Sequence, residues 1–150
     1  MLTVSELCGA LRTIRQADDN TFSSLLDYAV RSEVCWGTLR KIETKQAVPS
    51  LQTWYKICSE LQMPYATFEA ATKKSKKIPR RPIKWTPESV GERIKKAREA
   101  AGLSTYKFWS TYKIGSGTLK NIEAGKANSS LNTIAEILGH LKLDWSDIFV

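Results

Sequence analysis

The sequence predicts an all-α protein made of two similar helical copies in tandem, and three observations lead there. Apolar residues recur at helical spacing between side chains that cap helix ends, and no segment alternates with period two long enough for a sheet. The chain also repeats itself. An 80-residue shift lays Gly37-Thr38-Leu39-Arg40-Lys41-Ile42-Glu43 on Gly117-Thr118-Leu119-Lys120-Asn121-Ile122-Glu123. The register continues through Ala47/Ala127, Ser50/Ser130, Leu51/Leu131, Thr53/Thr133, Ile57/Ile137 and Leu61/Leu141, and upstream through Ser24/Ser104. Eleven identities fall in the 32 positions from Gly37 to Phe68, where average residue usage gives roughly two by chance. The copies are expected at residues 1–72 and 86–150, with residues 73–85 between them as a basic linker.

In the first copy, Thr3-Val4-Ser5-Glu6 has the Thr-x-x-Glu pattern of a capping box, and Leu7, Leu11 and Ile14 supply the apolar stripe of the helix it opens. Trp36–Glu43 is expected to be helical by its match to the second copy. Trp54 belongs on an apolar face, and Pro64 opens a last helix carrying Tyr65 and Phe68.

In the second copy, Thr86 caps and Pro87 takes the first helical position. Val90, Ile94, Ala97 and Ala101 form the stripe, and Gly102 suits the stop. Ser104 caps a short helix whose expected buried positions are Phe108 and Trp109. A bend at Tyr112-Lys113-Ile114-Gly115 leads into Ser116–Glu123, and Ala124-Gly125-Lys126-Ala127-Asn128 forms a turn. Ser130 caps a helix with Leu131, Ile134, Ile137, Leu138 and Leu141 on it. Asp144 caps a final turn holding Trp145, Ile148 and Phe149, and His140 is expected at the surface or its boundary.

Composition limits what such a protein can do. The 150 residues carry 23 Lys and Arg against 15 Asp and Glu, a formal charge of +8, with 42% hydrophobic residues. That describes a folded, basic chain. The N-terminal residues lack the basic and apolar regions of a secretory signal, and no apolar run is long enough for a membrane span, so a cytoplasmic, nucleoid-associated protein is expected. Three cysteines, Cys8, Cys35 and Cys58, suit reduced thiols and give no metal-knuckle spacing. With one histidine in the chain there is no material for a His-based triad or metal site. Neither a nucleophile–base pair nor a phosphate loop is visible. No enzyme, cofactor, metal or small-molecule substrate is expected.

The charge is unevenly placed: residues 1–70 carry −1, residues 71–88 carry +6 and residues 89–150 carry +3. The central segment, Ala71-Thr72-Lys73-Lys74-Ser75-Lys76-Lys77-Ile78-Pro79-Arg80-Arg81-Pro82-Ile83-Lys84-Trp85, reads as an extended, polyanion-seeking linker, because its prolines remove donors and its like charges repel. About 14 such residues reach at most ~46–50 Å.

Leu103-Ser104, Phe108-Trp109, Ile114, Thr118-Leu119, Ile122-Glu123, Gly125-Lys126 and Ser130-Leu131 together resemble the phage Cro/repressor-type (XRE-like) helix-turn-helix family. The likeness covers nearly all of residues 86–150. The first copy resembles it more weakly, through Ser24, Tyr28-Ala29, Val34, Thr38-Leu39 and Ile42-Glu43, with Lys45 where the family has glycine.

The resemblance implies two five-helix lambda-repressor-like domains that bind double-stranded DNA, each placing its third helix in the major groove. The implied base-facing positions are Ser116, Gly117 and Asn121, with Trp36, Gly37 and Lys41 matching them in the first copy. Asn pairs with adenine and Lys donates to guanine at such positions. Ser104, Thr105, Lys120 and Lys126 are implied phosphate contacts, Thr118 and Arg40 lie on the same reading helices, and Glu43 and Glu123 are implied to hold helix ends. Arg80 and Arg81 could enter an A·T-rich minor groove or attract phosphate diffusely. The linker's reach exceeds the ~34 Å between half-sites, so one chain could occupy both.

The copies differ. Asp27 and Glu33 stand where the second copy has Lys107 and Lys113, and Leu25 replaces Thr105 beside Leu26. The second copy is therefore expected to be the stronger DNA reader of a transcriptional regulator, with repression as the simpler mechanism. The alternative is a protein-interaction module, of antitoxin or anti-activator type, docking a partner protein through the first copy. A homodimer through Trp145, Ile148 and Phe149 also stays open. Trp36 is expected on the exposed side of its helix, and nothing in the sequence activates its neighbour Cys35.

Overall fold

The computed structural model describes residues 1–17, 24–75, 77–126 and 128–150, so Lys76 of the basic segment and Ala127 of the repeat lie outside the described residues. The described chain is all-α, with ten helices: α1 (Val4–Gln16), α2 (Leu25–Ser32), α3 (Trp36–Glu43), α4 (Leu51–Glu60), α5 (Tyr65–Thr72), α6 (Pro87–Ala100), α7 (Thr105–Tyr112), α8 (Ser116–Glu123), α9 (Leu131–Leu141) and α10 (Trp145–Ile148). It divides into two compact units, Met1–Pro49 with Thr53–Ile83, and Lys84–Val150 with Ser50–Gln52.

In the first unit α1 opens with a reciprocal capping box: Glu6 N–H donates to Thr3 Oγ1 at 3.2 Å and Thr3 N–H donates to Glu6 Oε2 at 2.7 Å. These bonds satisfy two donors that the first helical turn would otherwise leave bare. Leu7, Leu11 and Ile14 are buried, and α1 packs on α5 and α3. Each fully buried aliphatic side chain of this kind contributes ~1.5–3 kcal/mol. Trp54 on α4 is buried and meets Phe68 on α5 with ring centroids 4.9 Å apart.

In the second unit Thr86 and Ser89 form the box at α6, behind Pro87. The stripe differs from expectation at its far end. Val90 and Ile94 are buried, but Ala97 is half-buried, Ala101 is the exposed cap, and Arg98 is the side chain that turns inward. Gly91 lets α6 approach α8, because a Cβ there would lie 2.2 Å from the carbonyl oxygen of Ile122. Trp85 is buried with its ring 4.4 Å from Phe149, which in turn stacks 5.3 Å from Trp145.

The helix ends repeat with the sequence. Glu33 and Lys113, Lys45 and Gly125, and Gln62 and Lys142 all have positive φ, each pair 80 residues apart. After α8, Gly125 N–H donates to Ile122 O and Lys126 N–H to Asn121 O, while after α3 Lys45 and Gln46 make the same two bonds to Ile42 and Lys41. Both turns are Schellman stops.

The basic segment is not the freely extended tether that its charge and prolines suggest. Thr67 Oγ1 donates to Pro79 O at 2.6 Å, Arg81 N–H donates to Gln62 O at 3.0 Å, and Arg80 Nη1 donates to Leu61 O at 2.8 Å. Arg80 Nη2 also reaches Tyr28 OH at 2.6 Å, with its guanidinium 6.0 Å from the Tyr28 ring centroid. The chain from Pro79 to Arg81 is thus a strap on the first unit, and Trp85 is core in the second.

Candidate nucleic-acid interface

The face that the sequence singles out is built from α7 and α8. Ser104 caps α7 by accepting from Lys107 N–H at 3.1 Å. Lys113, with φ of 62°, turns the chain in the left-handed region, and Ile114 is buried behind the bend. That turn sets the start of α8 at Ser116. Leu119 and Ile122 point into the core, and α8 packs on α6 and α7. Ser116, Gly117, Thr118, Lys120 and Asn121 are consequently all exposed on the other side, and Lys126 is exposed in the following turn. Its face therefore carries hydroxyls, an ammonium and a carboxamide with no acidic residue among them.

A buried ion pair holds α8 in place. Arg98 on α6 is 4% exposed and meets Glu123, the last residue of α8, through Nε–Oε1 at 2.6 Å and Nη2–Oε2 at 3.0 Å. Its Nη1 donates to Leu103 O, tying down the loop that leads into α7. The hydrogen bonds to Glu123 hold the guanidinium above the ordinary arginine range. The first unit has the same device: Arg15 on α1 meets Glu43, the last residue of α3, at 2.9 Å through Nε and again through Nη2. Sequence reading assigned the two glutamates to helix ends but missed both arginines. The signal was present at a different offset, since Thr3 and Thr86, like Arg15 and Arg98, stand 83 residues apart whereas the later helices repeat at 80.

Two expected placements change. Trp109, expected as core, is 40% exposed, because Phe108 and Tyr112 take the inward positions of this short helix. Tyr112 stacks on half-buried His140 at 4.0 Å, which ties the end of α7 to α9. Arg80 is engaged with Leu61 and Tyr28, while Arg81 keeps an exposed side chain. Ser104, Thr105, Tyr106, Trp109, Ser116 and Lys120 line an open cleft of about 510 Å³.

The matching face of the first unit has different chemistry. Trp36 is 45% exposed and carries Arg40 over its ring at 5.3 Å. Lys41 is exposed and Gly37 half-buried. On α2, Leu26 and Val30 are 60% and 71% exposed where the second unit has Tyr106 and Ser110. Cys35 is exposed, whereas Cys8 and Cys58 are buried, and burial pushes the Cys8 thiol up to about 11.

Among the described residues no cluster of His, Cys, Asp and Glu could hold a metal ion, and no helix is long and apolar enough to cross a membrane. Comparison with protein-family models, curated proteins and solved structures gives no match.

Proposed function

We propose that the chain is a sequence-specific, double-stranded-DNA-binding transcriptional regulator with two tandem five-helix domains of the Cro/repressor-like type. The observation that carries this reading is the outward face of α8. Ser116, Gly117, Thr118, Lys120 and Asn121 project together from a helix pinned by a buried ion pair, one left-handed turn after α7. Helix N-termini and lysines suit phosphate, and a carboxamide suits an adenine edge. In this reading Asn121 and Ser116 face bases, while Ser104, Thr105, Lys120 and Lys126 meet phosphates. Arg81 and the lysines of the basic segment add counterion release. Occlusion of a promoter needs no further domain, so repression is the mechanism proposed.

Selection from random duplex pools with the full chain, followed by anisotropy titration at about 50 and 200 mM salt, tests the proposal. Enrichment of one motif whose affinity falls with salt supports it. Weak binding without any enriched motif refutes it.

A second reading applies to the first unit. Leu26, Val30 and Trp36 leave an apolar surface exposed at the positions where the second unit is polar or aromatic. Exposed apolar surface of this kind suits a protein contact. The first unit then docks a partner protein while the second reads DNA. Retention of the selected motif after Arg40→Ala and Lys41→Ala supports this division.

A further inference from the structure

Tyr106 and Trp109 have no role in the contacts assigned so far, although they are the largest side chains beside the reading helix. Tyr106 is 71% exposed and Trp109 40%, their ring centroids lie 5.5 Å apart, and the planes are tilted by 52°. Both rings line the cleft whose other residues are Ser104, Thr105, Ser116 and Lys120. The cleft therefore has an apolar aromatic wall along α7 and a hydrophilic wall of hydroxyls and an ammonium. Leaving most of the Tyr106 ring and part of the Trp109 ring in water forgoes free energy of burial, and an exposed aromatic pair lining a cleft suits a contact.

Duplex DNA offers one apolar group in the major groove, the C5-methyl of thymine; every other feature of the base edges there is a hydrogen-bond donor or acceptor. The hydroxyls and Lys120 suit phosphate and base edges. The Tyr106 hydroxyl can join them, but the ring face of Trp109 suits none of these.

We infer that Trp109, backed by Tyr106, is a specificity-determining residue that seats a thymine methyl group at the edge of the site read by α8. This inference rests on the DNA-binding reading. It belongs to the second unit alone, since Ala29 and Leu26 stand at the matching positions of the first. Burying one methyl corresponds to about a fourfold change in affinity.

The test uses the full chain and the duplex it selects, resynthesised with each dT replaced singly by dU, which removes only the methyl. Wild type is expected to lose about fourfold at one position. Trp109→Ala is expected to bind the dT and dU forms of that position equally, with its thermal midpoint within a few degrees of wild type. Tyr106→Ala, at the more exposed ring, provides the same readout if Trp109→Ala fails to fold. Equal affinity of wild type for every dU duplex, or a dT preference that survives both substitutions, overturns the inference while leaving DNA binding intact. Absence of any selected motif removes the DNA reading and this inference with it.

Discussion

Glu123→Ala tests the view that a buried ion pair holds α8 in place. The Arg98 side chain is 5% exposed and that of Glu123 8% exposed, with two parallel contacts of 2.6 and 3.0 Å. Truncating the glutamate leaves a guanidinium buried, with Leu103 O remaining as an acceptor and the exposed Glu99 carboxylate, 3.6 Å away, as a weak counter-charge. Breaking a buried pair from one side costs about 3–5 kcal/mol, because the stranded charge keeps its desolvation penalty. A unit of this size is stable by only about 3–10 kcal/mol, so the loss is a large fraction of the whole. The matching midpoint shift is roughly 12–40 °C, read by circular dichroism during thermal unfolding. Glu43→Ala should cost less, since the Arg15 side chain is 16% exposed and water can solvate what remains. The double change Arg98→Met, Glu123→Leu should recover most of the loss, because it removes both charges together. A Glu123→Ala midpoint within about 3 °C of wild type would refute the reasoning, as would a double variant no better than the single.

Three further outcomes follow from local geometry. Lys45→Gly should stabilise the first unit by about 0.5–1 kcal/mol in urea unfolding, because it relieves a left-handed lysine at φ of 61°; a loss of stability would show that the Lys45 stem over Gly9 matters more. Of the three cysteines, Cys35 alone should react with a thiol reagent in the native protein at neutral pH, with Cys8 and Cys58 following only on unfolding; fast reaction of all three contradicts their burial. Hydrogen bonds from the Thr3 backbone and hydroxyl hold the Glu6 carboxyl below the ordinary glutamate range. Its contribution is then present above the unfolded value and lost as pH falls through the folded one. Glu6→Gln should accordingly be less stable than wild type at pH 7, with the gap closing in acid; a gap independent of pH contradicts the capping role.

Much of this fold can be read in the sequence because the signals are local. Thr3, Thr86, Ser104, Ser130 and Asp144 each accept from a backbone N–H at the start of the helix they precede. The exposure of α8's polar face follows from Leu119 and Ile122 fixing its inward side. What escaped the sequence is non-local. The inward turn of Arg98, which is buried, and of Arg15, which is half-buried, contradicts the periodic rule and is intelligible only once Glu43 and Glu123 lie opposite. Trp109 could not be placed by periodicity in a helix of eight residues, where one position of rotation separates core from surface. The strap at Pro79–Arg81 follows from acceptors at Leu61, Gln62 and Tyr28, which no composition argument for a charged linker includes.

The central claim is that α8 reads duplex DNA. Its most direct test is the affinity of the full chain for its selected duplex, compared between wild type, Lys120→Ala with Asn121→Ala, and Arg40→Ala with Lys41→Ala, at about 50 and 200 mM salt. The account predicts that the α8 pair loses about 100-fold or more and that the salt slope falls by about one contact, while the α3 pair loses clearly less. Equal losses would remove the asymmetry between the units, and undiminished binding by the α8 variant would contradict the account outright.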